Sequence, residues 1–420
     1  MIFADIIELT QASASKRTQY KRLILSTFAV IVLAKAAKLG GLGLGKAPRG
    51  LVDFDDFFIA GQLVWQGEIE KAYRFATMAE AQRSFFGVEC FIPWTYPPQF
   101  DLMVAPLAFL PLGVAYAIFT AGTLAAYLAT LRRIAVERFL SVLIVLFPAV
   151  TVTIACGQNG FLTGTLIGLT CLLHLRGRSL AGLPLGLMVI KPHLAVAFAV
   201  YTAVNRRWGA IFAAAATLAL TSALATVLLG TGVWSAFLAG VEEAKVFLEH
   251  GLYPLHRMVS PYAVFRSLGF SAPAAISFQI VAAVFATTLV CAASFRFSPR
   301  QALGVTATAS LLISPYAYDY DLPIVGIGLA MLSPDLIRLA SERERLAIYG
   351  LSFVAAGWGL AQATIWSDVA AGDVMPLSMA GLALLAINGL TWRILARDAR
   401  APEGALLAAG AGSTAKCAAC

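Results

Sequence analysis

The chain has 420 residues, of which 59% are hydrophobic and 13% charged, with a net charge of +8 and a mean hydropathy of +0.79. A soluble domain carries about 45–50% apolar and about 25% charged residues, so a water-soluble enzyme with one buried core, a disordered chain and a disulfide scaffold are all excluded. What remains is an all-α, polytopic membrane helix bundle, with room for about ten to twelve spans at roughly 20 residues each.

Residues 1–22 are polar and end in Lys16-Arg17 and Lys21-Arg22, a cytoplasmic N-terminal segment. The first apolar run follows from Leu23. A secretory signal has the same outline, but Lys35 and Lys38 fit a retained anchor whose lysines snorkel to the interface. The multi-pass region then extends to residue 395. Residues 43–99 form its first external loop, with surface helices expected over Asp56 to Gln66 and Ala76 to Phe86. Pro93, Pro97 and Pro98 stop the helical pattern. Apolar segments follow at 100–131, 139–155 and 161–175. Between Arg178 and Arg206 only a pair of short, broken helices fits, with Lys191-Pro192-His193 at the tip; irregular backbone at membrane depth implies a surrounding cavity. Later spans are expected at 209–229, 273–295, 302–314, 322–332, 346–366 and 374–392, and residues 396–420 are a low-complexity cytoplasmic tail.

The predicted cytoplasmic ends hold 20 of the 31 Lys and Arg, while the short outer turns at 157–160, 314–321 and 367–373 hold none. That asymmetry is the positive-inside rule; it explains the net charge without any nucleic-acid partner. The cysteines at 90, 156, 171 and 291 lack metal-ligand spacing. Cys417-Ala-Ala-Cys420 has the outline of a prenylation box or a redox pair, but no fold surrounds it.

The uncommon polar groups fall on the outer side. Asp53, Asp55 and Asp56 alternate with aromatics directly after the first span. Such carboxylates cap a helix N-terminus or supply a general base, and one can cap while another acts. Gln158 and Asn159 offer amides suited to sugar hydroxyls, or merely form a turn. Lys191 and His193 lie at depth, where an ionisable group marks function or a structural ion pair with Asp319 or Asp321. Asp53-Phe54-Asp55 and Asp319-Tyr320-Asp321 both have the D-x-D spacing of metal-dependent sugar transferases, a weak signal alone. No cofactor is expected. A divalent metal would have to be a hard ion on oxygen, and no phosphate loop, dinucleotide fingerprint or nucleophile elbow is present.

Taken in order, Asp53-Phe54, Ala60-Gly61-Gln62-Leu63, Gly67, Ala72-Tyr73, Tyr96-Pro97-Pro98, Pro106-Leu107, Leu110-Pro111, Gly157-Gln158-Asn159, Ala181-Gly182, Lys191-Pro192-His193 and Ser314-Pro315-Tyr316 resemble glycosyltransferase family 87. These are membrane mannosyltransferases of the GT-C class, and the resemblance runs over roughly residues 20 to 395. It implies a bacterial inner-membrane enzyme that takes a hexose, mannose in the best-known members, from a polyprenyl-phosphate donor. Transfer to a lipid or glycan acceptor occurs on the periplasmic face, with inversion. The first periplasmic loop supplies the carboxylate base, which matches Asp53, although Asp55 and Asp56 close by leave the choice open. Lys191, His193, Arg257 and Arg266 are the cations placed to meet the donor phosphate. Tyr96, Gln158, Asn159, Tyr316 and Asp319 are the candidates for sugar or acceptor. Membrane lipids are the remaining partners. The competing readings are a multi-pass transporter or flippase, which would need internal repeats that the two halves do not display, and a non-catalytic membrane partner.

Overall fold

The computed structural model describes residues 13–41, 50–365 and 376–398; the tail and its two cysteines lie outside them. The described residues are mostly helical, with no β-strand and one isolated bridge, between Met258 and Tyr318. In chain order the helices are α1 (Ala14–Leu39), α2 (Asp53–Gln66), α3 (Phe75–Phe86), α4 (Pro98–Val104), α5 (Leu112–Ala135), α6 (Phe139–Val145), α7 (Phe147–Cys156), α8 (Gly160–Leu175) and α9 (Gly182–Leu187). They continue as α10 (Pro192–Val204), α11 (Trp208–Leu229), α12 (Gly232–Glu249), α13 (Pro261–Ser267), α14 (Ala272–Arg296), α15 (Pro299–Ala309), α16 (Pro323–Leu339), α17 (Glu342–Ile365) and α18 (Ala380–Asp398).

Local chemistry sets many of these starts. Ser13, Ser260, Ser271 and Ser298 each cap a helix by accepting a backbone N–H three residues on. Proline occupies the first position of α4, α10, α13, α15 and α16, where its missing N–H would be unpaired anyway.

The helical stretches 112–145, 208–229 and 272–296 are long and apolar enough to cross a membrane; Phe147–Cys156, Gly160–Leu175, Ser179–Ile190 and Pro192–Val204 are apolar but shorter. Helix α11 is apolar all round, as expected of a lipid-facing span. It buries Ala210 and Ala225 and exposes Phe212, Leu220 and Val227. Helix α5 packs on α1 and α8, α15 on α14 and α16, and α17 on α18.

Several expected boundaries change. The segment 100–131 divides into α4, a 3-10 turn over Ala105–Phe109, and α5, because Pro106 and Pro111 each remove a backbone donor. The span expected over 139–155 is two helices, parted at Leu146, with Pro148 early in the second. The expected span 322–332 extends to Leu339 with Pro334 inside it. Helix α18 begins at Ala380, and the expected start at 374 lies outside the described residues. The break between 178 and 206 is present as anticipated: 3-10 turns at Ser179–Ala181 and Met188–Ile190 flank α9, and Lys191 ends the second turn before α10. Helix α2, expected to rest on the membrane, spends its apolar face on protein instead, burying Phe54, Phe57, Ile59, Ala60 and Leu63.

One end of the bundle gathers the basic residues assigned to the cytoplasm. Arg393 and Arg397 both reach Glu344, Arg338 reaches Asp335 and Asp398, and Arg300 donates to the carbonyls of Ile134, Ala330 and Met331. Glu344, against two guanidinium groups, is held well below the ordinary carboxylate range, first by Arg397.

Candidate active site

The three carboxylates at the start of α2 point in different directions, since successive helical residues turn by about 100°, and each has a separate task. Asp55, fully buried, accepts the Val52 N–H at 2.8 Å and closes the helix start. Asp56 turns inward to Gln82, whose Nε2 donates at 3.0 and 3.3 Å, while Gln82 Oε1 accepts the Cys90 N–H at 2.8 Å. Burial pushes the Asp56 carboxyl well up despite that hydrogen bond, with Asp53 and Asp55 adding to the rise. Asp53 alone is half-exposed. Its Oδ1 accepts from Gln158 Nε2 at 3.0 Å, and its other oxygen has no hydrogen-bond partner among the described residues.

Gln158 sits in the turn between α7 and α8, where Gly157 adopts φ +68°, a conformation open to glycine without strain. Its Oε1 accepts from Tyr96 Oη at 2.9 Å and from the Asn159 N–H at 3.1 Å, so both ends of this amide are engaged. Tyr96 is walled in by Phe57, Trp94 and Phe100, with ring centroids at 5.5, 5.0 and 4.3 Å. Burial, then Asp53 and Asp321, push its phenol well above the ordinary value, so it keeps its proton and donates. The side chain of Asn159 is completely buried, yet neither its Nδ2 nor its Oδ1 has a partner among the described residues. A buried amide left open in this way awaits a ligand or water. On the next residue, a Cβ at Gly160 would collide with the Tyr320 carbonyl oxygen; only glycine lets the amide turn meet the 319–321 segment.

That segment is a 3-10 turn, Asp319–Asp321, held against the 255–257 turn by the Met258–Tyr318 bridge and a Val259 N–H to Ala317 carbonyl bond of 2.8 Å. It carries two ion pairs. Lys191 Nζ lies 2.7 Å from Asp321 Oδ1, both buried. Arg257 grips Asp319 in bidentate fashion at 2.9 and 3.1 Å and touches Cys156 Sγ at 3.2 Å. Burial opposes the Arg257 charge, but Asp319 more than offsets this and holds the guanidinium above its ordinary range. Between them stands Tyr320, with Lys191 at 4.6 Å and Arg257 at 5.6 Å from its ring centroid, both within cation–π range. Lys191 also lies 5.9 Å from the Tyr96 ring, and His193 Nε2 is buried with no partner among the described residues.

The fold thus brings Asp53, Tyr96, Gln158, Asn159, Lys191, Arg257 and Asp319 into one cluster. Tyr316 stands apart: its hydroxyl donates to the Ala244 carbonyl at 3.1 Å and its ring packs on Tyr253. Arg266 is also elsewhere, donating to the Phe270 and Glu249 carbonyls. Tyr320 went unremarked in the sequence, since an aromatic in an apolar chain has the look of core. Its signal was its place between two aspartates in an outer turn.

The model of glycosyltransferase family 87 matches residues 94–315, more than half of the chain. The chain belongs to glycosyltransferase family 87. The match includes Tyr96, Gln158, Asn159, Lys191, His193 and Arg257, while Asp53 and the 319–321 turn lie beyond it. No curated protein and no solved structure matches the chain. Membership of family 87 makes this a membrane glycosyltransferase with a sugar donor and an acceptor, and favours that function over the transporter.

Proposed function

We propose that this family 87 member moves a hexose, by family analogy mannose, from a polyprenyl-phosphate donor to a lipid or glycan hydroxyl on the periplasmic face of a bacterial inner membrane. The observation that carries the reading is the state of Asp53: one oxygen held by Gln158 and the other without a partner among the described residues, in a cluster that also contains the buried Lys191 and the half-buried Arg257. The acceptor hydroxyl gives its proton to Asp53 as its oxygen attacks the anomeric carbon. The bond from that carbon to the phosphate oxygen breaks in the same step, and the configuration inverts because a single displacement occurs. Negative charge gathers on the departing polyprenyl phosphate, where Lys191 and Arg257 stabilise it. Asn159 and His193, with open polar atoms, read hydroxyls of the sugar or acceptor. No metal or other cofactor enters this scheme.

Purified protein incubated with labelled polyprenyl-phosphate sugars and a lipid extract tests the reading. Transfer of label to a lipid or glycan is expected, with inverted linkage. Uptake of the intact donor into sealed vesicles without transfer would instead support the transporter.

A further inference from the structure

Asp101, on α4, is 0% exposed and lies outside the cluster described above. Its Oδ1 receives the Trp94 Nε1–H at 3.0 Å, and its Oδ2 lies 2.6 Å from Tyr73 Oη. Tyr73 Oη is in turn 3.0 Å from the Tyr96 carbonyl oxygen. Asp101 forms no ion pair among the described residues.

Counting hydrogens decides the arrangement. A phenol has one hydrogen, and Tyr73 faces two oxygens. With an ionised Asp101, that hydrogen goes to Oδ2 and the Tyr96 carbonyl is left without a donor, while a charge sits buried with no cation beside it. With a proton on Oδ2, Asp101 donates to Tyr73 Oη and Tyr73 donates to the Tyr96 carbonyl. Every group is then paired and no charge is buried.

We infer that Asp101 is a neutral carboxylic acid acting as a hydrogen-bond donor, which through Tyr73 fixes the Tyr96 backbone and so positions Gln158 and Asp53. The path is short. Asp101 and Trp94 fix one side of the aromatic wall, Tyr73 holds the Tyr96 carbonyl, and the Tyr96 hydroxyl meets the amide that holds Asp53. Asp101 is a positioning residue. The link to turnover rests on the proposed transferase reading; the neutral state does not.

Two measurements separate these parts. Infrared difference spectra of the full-length protein against Asp101→Asn should show a protonated-carboxyl C=O stretch lost in the variant; a lost carboxylate band instead would overturn the neutral state, whatever the activity. In the label-transfer assay, Asp101→Asn, whose amide N–H still donates to Tyr73, should retain kcat within about threefold. Asp101→Leu and Tyr73→Phe should lower kcat by about tenfold or more with donor KM little changed, since small misplacements of reacting groups are costly. Equal loss in Asp101→Asn and Asp101→Leu, or full activity in Tyr73→Phe, would overturn the positioning role. Should Asp101→Leu fail to fold, the comparison of Asp101→Asn with Tyr73→Phe decides it. Full activity of Asp53→Asn would fail the transferase mechanism separately, leaving the infrared result standing.

Discussion

Lys191 and Asp321, 130 residues apart in the chain, meet at 2.7 Å with both side chains buried. A buried pair of this kind contributes little net stability, but removing one partner strands the other's charge. Lys191→Met should therefore destabilise the protein by about 3–5 kcal/mol, seen as a lower thermal midpoint in detergent. Adding Asp321→Asn should restore most of the midpoint and none of the transfer. Recovery of both would confine Lys191 to a structural role.

Asp53 and Asp55 differ in what they touch, and their variants should fail differently. Asp53→Asn keeps the shape but cannot take a proton, so turnover should fall by about 10²–10⁴-fold with the fold intact. Asp55→Ala loses the Val52 contact and should cost about 1 kcal/mol of stability while transferring sugar at a similar rate. The opposite pattern would move the base to Asp55.

Asp56 gives a pH test. Its folded carboxyl holds its proton more tightly than the unfolded chain does, because burial raises it above the ordinary value. The folded state thus binds more protons, and stability falls as pH rises from the ordinary carboxylate range through the raised one. Asp56→Asn removes this dependence. The midpoint of the variant relative to the natural protein should climb as pH rises above the ordinary carboxylate range, and a constant difference would contradict the shift.

Chelation should leave activity unchanged. Asp319 is committed to Arg257, Asp321 to Lys191 and one oxygen of Asp53 to Gln158, and no group of three His, Cys, Asp or Glu able to hold a metal occurs among the described residues. Loss of transfer in EDTA, recovered with magnesium, would show that substrate and carboxylates share an ion.

Orientation is open to thiol labelling. Cys90 is exposed, and the charge pattern predicts that the 43–99 segment faces outward, so an impermeant reagent added to spheroplasts should modify it and spare Cys417 and Cys420. Labelling of the tail would invert the assigned topology.

The polar members of the site were legible because an apolar chain makes each of them conspicuous. Asp53, Gln158, Lys191 and Arg257 could be singled out before any fold was known, and the arginines at 178 and 206 exposed the broken segment between them. The pairing was not legible. Nothing local ties Lys191 to Asp321 rather than Asp319, since the 3-10 turn aims the two carboxylates at different cations. Asp101 was invisible for another reason: its value lies in proton counting with Tyr73 and Trp94, which needs distances. The segment expected over 139–155 is helical but parted at Leu146, a break hidden by continuous hydropathy and set by the donor that Pro148 lacks.

The separation of Lys191 from Asp321 also sets a schedule. At ribosomal rates of about 5–20 residues per second, Lys191 is made on the order of ten seconds before the carboxylate that neutralises it. For that interval the ammonium must stay hydrated, among lipid headgroups or in the insertion machinery. Its place at a helix break, after the Met188–Ile190 turn and before Pro192, suits a residue that waits near water. The ion pair that neutralises Lys191 therefore becomes possible only once the 319–321 turn has been made, so the last third of the chain completes an electrostatic balance that its middle leaves open.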